Sequence, residues 1–312
     1  MEREHHQRPQ AKKIASHFES TAAAREHLAQ IRWPNGPVCP KCGSASKPYV
    51  LRDGRYRCSD RDCRTSFTAT TGTVFESSHI ALHKWLLAVY LLCSSKKGIS
   101  SHQIHRTLGV TYKTAWFMTH RIREAMKQGS LAAPLGGPGK VVEADETYIG
   151  RNPLRKKRAG FAHKFAVVSL VERGGRSRSF YVEHVNSRAI EKIIRENVQR
   201  ESEVNTDSHS VYRNLDQIVA RHDAVDHSAE EYARYEDGRV ISTNSIEGFF
   251  SIFKRGMRGI YQHCGENHLN RYVAEFDFRY GLRYISDSER AEEALLGSVG
   301  KRLLYRDSSA AK

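Results

Sequence analysis

The 312-residue sequence lacks the roughly 20-residue apolar run that a membrane-spanning helix needs. Its opening stretch, MEREHHQRPQAKK, has no apolar signal-peptide core. Both absences point to a cytoplasmic protein without a membrane partner. Acids are scarce relative to bases, 35 Asp plus Glu against 50 Lys plus Arg, for a formal charge of +15. That excess calls for a polyanionic partner, because each neutralised phosphate releases condensed counterions. Charge alone does not choose between nucleic acid and an anionic membrane surface; nucleic acid is the preferred reading. Apolar residues make up only 39%, which in a chain of this length still allows two or three domains. No internal repeat is visible, so a repeat architecture is excluded.

Four of the six cysteines carry a pattern: Cys39-x2-Cys42, fifteen residues, then Cys58-x4-Cys63. Cys39-Pro40-Lys41-Cys42-Gly43 reads as a tight knuckle whose glycine permits the turn that brings two sulfurs onto one ion. Four thiolates at such spacing suit tetrahedral Zn²⁺, with Tyr49-Val50-Leu51 and Tyr56-Arg57 as strands of a ribbon. Disulfides are the alternative, disfavoured where no export signal is present. Cys93 and Cys264 lack partners and read as small buried hydrophobes.

Residues 1–17 are polar and read as a disordered basic tail. Residues 20–33 read as a helix capped by Ser20 and ended by Pro34-Asn35-Gly36, and with the ribbon they make a first domain over 18–75. A packed helix follows over 79–93. Ser100-x-x-Gln103 opens a short helix, Gly109 turns the chain, and Thr111 caps a second helix, so 76–130 reads as a helix-turn-helix region. Lys113 and Thr114 sit early on that second helix, where base edges are reached, and Arg121 and Arg123 further on suit phosphates. An ordinary helical hairpin with a solvated basic face is the alternative.

A Gly/Pro-rich stretch over 131–139 marks a linker. Beyond it, strands are expected over 140–149, 165–171 and 179–185, with a turn at Arg173-Gly174-Gly175-Arg176. A helix over 188–198, a strand over 203–207, a further strand at 224–225 and a long helix over 244–260 complete the order. This is an α/β pattern that matches a ribonuclease-H-like mixed sheet, assigned to 140–290, with 291–312 as a C-terminal tail. Asp145 lies inside an apolar strand, where an unpaired carboxylate is costly. Asp207 ends the next informative strand. Glu247 follows Asn244 by three residues, the positions of a capping box, so it reads either as a cap or as a ligand. Phosphodiester chemistry favours hard cations such as Mg²⁺ or Mn²⁺ held by carboxylates, and two strand aspartates with a helix-borne glutamate can converge on such ions. Lys254, two turns beyond Glu247, and its neighbour Arg255 are placed to hold phosphate.

These stretches together resemble the DDE-type insertion-sequence transposases that carry an N-terminal zinc ribbon. The resemblance rests on Arg32-Trp33-Pro34 with the first cysteine knuckle, Thr71-Gly72-Thr73-Val74-Phe75 and the run Leu108-Gly109-Val110-Thr111-Tyr112-Lys113. It continues through Asp145-Glu146-Thr147-Tyr148-Ile149-Gly150, Asn244-Ser245-Ile246-Glu247-Gly248 and Glu275-Phe276-Asp277-Phe278-Arg279-Tyr280. It implies a ribonuclease-H-like catalytic domain, Mg²⁺-dependent cutting at the element's terminal inverted repeats, and insertion into target DNA by a homo-oligomer synapsed on DNA. Carried over by position, Asp145 and Asp207 are the first two catalytic acids, and Glu247 the third, with Asn244 as the alternative. Two features depart from or vary within that pattern: the x4 gap of the second cysteine pair, and the basic loop 151–158, read as a DNA contact. A zinc-ribbon regulator without catalysis and a nuclease that cuts without joining remain the rival readings.

Overall fold

A computed structural model describes residues 19–127, 129, 133–156 and 160–306. The expected N-terminal tail, residues 131–132 of the linker, Lys157 and Arg158 of the basic loop and the last six residues lie outside the described residues. The chain forms two compact units. No described helix is long and apolar enough to cross a membrane.

The first unit comprises residues 19–95, 99–126 and 285–306 of the described chain. Helix α1 (Thr21–Arg32) starts where the Ser20 hydroxyl accepts the Ala23 N–H at 3.1 Å. A three-stranded antiparallel ribbon follows: β1 (Tyr49–Val50), β2 (Tyr56–Arg57) and β3 (Ser66–Phe67). Helix α2 (Leu82–Ser94) buries Trp85, Leu86, Val89 and Leu92. Helices α3 (Ser101–Leu108) and α4 (Tyr112–Met126) are joined at Gly109, whose φ of +61° is the left-handed conformation that ends a helix at little steric cost. Ser100 caps α3 through Gln103 N at 3.1 Å, as its spacing implies.

Two expectations change here. Residues 287–296, at the junction of the expected catalytic domain and C-terminal tail, form helix α8 (Asp287–Leu296) in this first unit. It packs against α1, α2 and α4, burying Ala291, Ala294 and Leu295. Backbone bonds from Val74 N to Ser298 O and from Gly300 N to Gly72 O tie the segment after it in place. Arg121 and Arg123, expected at phosphates, are only 6% and 0% exposed. The Arg121 guanidinium donates to Glu76 O at 2.8 Å and stacks over Trp85 at 5.4 Å, while Arg123 Nη1 donates to Thr119 Oγ1 at 3.1 Å. Helix α4 is packed on several sides, so these cations serve the core; Lys113 remains exposed and Thr114 half-buried.

The second unit spans 127–284, with 96–98. Its five strands are β4 (Val141–Ile149), β5 (Phe165–Glu172), β6 (Ser177–Val182), β7 (Glu203–Asp207) and β8 (Arg221–Val225). They lie in the order β6-β5-β4-β7-β8, with β4, β7 and β8 parallel and β5 and β6 antiparallel. This mixed sheet is the ribonuclease-H-like order expected. Period-two alternation splits its faces. Val142, Ala144, Val168 and Leu170 pack on helix α5 (Ser187–Asn197), whereas Val167 and Val171 pack on the aromatic side of α6 (Asn244–Gly256) and α7 (Glu266–Gly281). Before α6 comes a hairpin the sequence reading did not include, β9 (Ala233–Glu236) and β10 (Arg239–Ser242). Its Asp237-Gly238 turn, both residues at positive φ, is the signal that would have found it.

Helix α7 is pinned to β6 by Asp277, which accepts from Ser177 Oγ, Ser179 N and Ser179 Oγ, each at 2.8 Å. Burial pushes its carboxyl up to about 6, against about 3.9 when unfolded. The folded state thus holds the proton more tightly, and the stability this contributes is full below about pH 4 and lost as pH rises through 6. Asp277→Asn, neutral throughout, should remove on the order of 2 kcal/mol of that slope between pH 4 and 7 in urea unfolding; an unchanged slope contradicts the assignment. Arg121→Ala should lower unfolding stability by about 2 kcal/mol and leave the salt dependence of DNA binding unaltered. A stable variant with a shallower salt slope would return Arg121 to the DNA surface.

Candidate active site and metal centre

The parallel register of β4 and β7 pairs Val141 with Glu203 and Glu143 with Asn205. Two residues further on, Asp145 therefore runs beside Asp207. Alternation places Glu143, Asp145, Asn205 and Asp207 in one row on the α6 face of the sheet. The Asn205 amide meets the backbone of Ser242 and the Arg173 guanidinium, and Asp207 Oδ1 accepts its own turn's His209 N–H at 3.1 Å. Asp145 is largely buried, and its side chain accepts the Glu146 N–H at 2.6 Å, its one side-chain hydrogen bond among the described residues. Burial first, then the charges of Glu146, Asp207 and Glu247, push its carboxyl up to about 8. The charges of the second strand aspartate and the helix glutamate thus both act on Asp145.

Glu247 reaches this place because of how α6 begins. Thr243, not Asn244, stands at the N-cap, and no side chain caps locally. The N–H of Ile246 is taken instead by Glu143 Oε2 at 2.9 Å. The capping-box arrangement of Asn244 with Glu247 is absent, so Glu247 is not spent on the helix start. Its Oε1 lies 3.4 Å from His227 Nε2, and that nitrogen is 3.1 Å from Thr243 Oγ1. Asn244 is exposed in the first turn of α6. Lys254, half-buried, places its ammonium 5.8 Å over the Phe250 ring, and Arg255 is exposed.

Sequence reasoning missed Glu143, Glu146, His209 and His227. Glu146 points to the opposite face and accepts the Tyr212 hydroxyl at 2.6 Å, and burial raises its carboxyl. A second acid two residues before Asp145 on an apolar strand was the available signal for Glu143. In the basic loop, Arg155 is engaged with the backbone of Ala162 and Glu183, while Lys156 is exposed.

The four cysteines do converge. Gly43, at φ +74°, donates to Cys39 O at 2.9 Å and closes the first knuckle. The longer second knuckle is closed by Asp60, whose Oδ1 accepts from Asp62 N and Cys63 N at 2.9 and 3.2 Å. Cys39 and Cys63 sulfurs are 3.8 Å apart, those of Cys42 and Cys58 3.6 Å, and all four lie within 4.8 Å of one another. A tetrahedron with Zn–S of about 2.3 Å has edges of about 3.8 Å, so the donor set fits zinc and excludes disulfides at about 2.05 Å. Trp33, Tyr56 and Phe67 pack around it. Among the described residues, these thiols are the one group of three or more candidate metal ligands drawn so close together.

Residues 134–281 match the family model described as ISXO2-like transposase domain, and residues 19–66 match the transposase zinc-ribbon domain. A protein of Halobacterium salinarum, named as an uncharacterized protein in transposable element ISH50, is 32% identical over 292 residues, covering 84% of this chain and 91% of its own. Among solved structures, a chain of the simian T-cell lymphotropic virus intasome in complex with a PP2A regulatory subunit is 14% identical, with a TM-score of 0.31, covering 60% of this chain and 71% of that one. With its zinc ribbon, its mixed sheet and a relative aligned over most of both chains, this chain belongs to the ISXO2-like transposase family.

Proposed function

We propose that the protein cuts the terminal inverted repeats of an insertion sequence and joins them to target DNA, with Mg²⁺ or Mn²⁺ held by Asp145, Asp207 and Glu247. The observation that carries this is Asp145 set beside Asp207 on adjacent parallel strands, on the sheet face covered by the helix that bears Glu247, with its carboxyl raised to about 8 by burial first and then by the charges of Glu146, Asp207 and Glu247. Like charges so placed are relieved by divalent cations, and a regulator without catalysis has no use for them. Ions held there would supply activation of a hydroxyl nucleophile and stabilisation of the leaving 3′ oxygen. The protein's part is to hold three carboxylates from two strands and a helix in fixed relation, and Lys254 and Arg255 serve phosphates alongside. Glu247 is preferred over Asn244 as third ligand because its charge acts on Asp145 and it takes no part in capping α6, whose Ile246 N–H is accepted by Glu143.

In this reading the zinc ribbon and α3–α4 recognise the element ends, with Lys113 and Thr114 at the early positions of α4. Exposed cations of the basic loop add sequence-independent contact. The protein works in the cytoplasm of a prokaryotic cell, on nucleoid DNA, and assembles as a homo-oligomer when the two ends are synapsed.

Two outcomes test it. Elemental analysis should find about one zinc per chain, and Cys42→Ser should lose it and unfold 39–63 while the second unit keeps its structure; a zinc-free wild type contradicts the ribbon assignment. Asp145→Asn, Asp207→Asn and Glu247→Gln should each lower cleavage of inverted-repeat DNA by at least about 10²-fold with DNA affinity kept or slightly raised. Asn244→Ser should cleave near normally. Normal cleavage by Glu247→Gln with loss in Asn244→Ser would exchange those two roles, and full activity of either aspartate variant would sink the site.

A further inference from the structure

We propose that Glu143 is a positioning residue: clamped by Arg173, it sets where Glu247 stands relative to Asp145. This rests on the metal-site reading above. Glu143 lies on β4 two residues before Asp145 and on the same face, and its side chain is wholly buried. One oxygen accepts the N–H of Ile246, the residue before Glu247, at 2.9 Å; the other accepts Arg173 Nε at 2.7 Å. Arg173 continues to the carbonyl of Val240 at 2.5 Å and to Ser242 O and Oγ at 3.0 and 2.9 Å. One carboxylate and one guanidinium thus join the Asp145 strand, the end of β10 and the start of α6.

A helix N-terminus needs acceptors for its first N–H groups, and a carboxylate there is favoured by the helix dipole. A Ser or Asp at position 243 supplies that acceptor locally with no buried charge. Here Thr243 makes no side-chain cap, and the acceptor arrives from the neighbouring strand instead. Burying an ion pair gives little stability over apolar residues of the same size. What it does give is registration. Asp145 is about 7 Å along the strand from Glu143, and Glu247 is one residue from the N–H that Glu143 holds, so a short rigid path fixes the gap the ions would span.

The test uses the full-length, zinc-loaded protein and Mn²⁺ alone as probe, followed by electron paramagnetic resonance, with hydrogen exchange and cleavage kinetics alongside. Glu143→Gln keeps the shape and loses the charge. Glu143→Leu with Arg173→Met replaces both charges by apolar groups and preserves folding if the pair is dispensable for stability. Positioning predicts, in either folded variant, a Mn²⁺ dissociation constant raised about tenfold or more. It also predicts faster exchange confined to residues 244–250, and lower kcat for cleavage with KM for DNA unchanged. A merely structural role predicts that the double variant, once folded with a wild-type thermal midpoint, recovers wild-type Mn²⁺ affinity. That recovery overturns the proposal, as does wild-type Mn²⁺ affinity and exchange in Glu143→Gln. A wild type whose Mn²⁺ binding does not depend on Asp145 fails the metal-site reading separately, and the exchange of 244–250 still reports whether the clamp holds the helix.

Discussion

Four polar side chains in one row of a parallel strand pair, Glu143, Asp145, Asn205 and Asp207, govern the second unit. Buried polar groups must find partners, and each of the four has at least one. Glu143 takes Arg173 and the start of α6, Asn205 takes Ser242 and Arg173, and Asp207 turns its oxygen to the backbone of His209. Asp145 differs in that its side-chain partner, among the described residues, is the adjacent Glu146 N–H. Burial first, and then the charges of neighbouring acids, raise its carboxyl pKa. An alternation that elsewhere only sorts Val and Leu between two cores here sets a largely buried carboxyl beside other acids.

Much of this was legible in the residues themselves. The four cysteines declared themselves by spacing, and Asp145 by standing in an apolar strand. The strand and helix order gave the mixed sheet, including the β5–β6 turn at Arg173 to Arg176. What failed did so for physical reasons. Arg121 and Arg123 looked like phosphate contacts because helical periodicity tells which residues share a face, not how many faces find neighbours; α4 is covered by more than one. Residues 291–312 looked like a tail because the few small apolar residues there, Ala291, Ala294 and Leu295, give a faint stripe that matters only against α1, α2 and α4. The role of Glu143 was invisible because a cap supplied from a distant strand leaves no local signature, whereas Asn244 and Glu247 offered a local one that the structure does not use.

The first unit solves a different problem. Its ribbon strands are two residues each, far too short to fold by apolar burial, and its core is three aromatic rings around four thiols. Zinc ligation therefore supplies what packing cannot. The unit's helices are conventional by contrast, and α8 joins them from far along the chain, so their packing is complete only when residues 287–296 have been made.

The central claim is that Asp145, Asp207 and Glu247 share divalent ions. Anomalous scattering from Mn²⁺ in crystals of the protein tests it most directly. The account predicts Mn²⁺ density within about 2 Å of oxygens from all three side chains, with Glu247 drawn away from His227. Density confined to the aspartates, with Glu247 still paired to His227, or no Mn²⁺ at this end of the sheet, would contradict it.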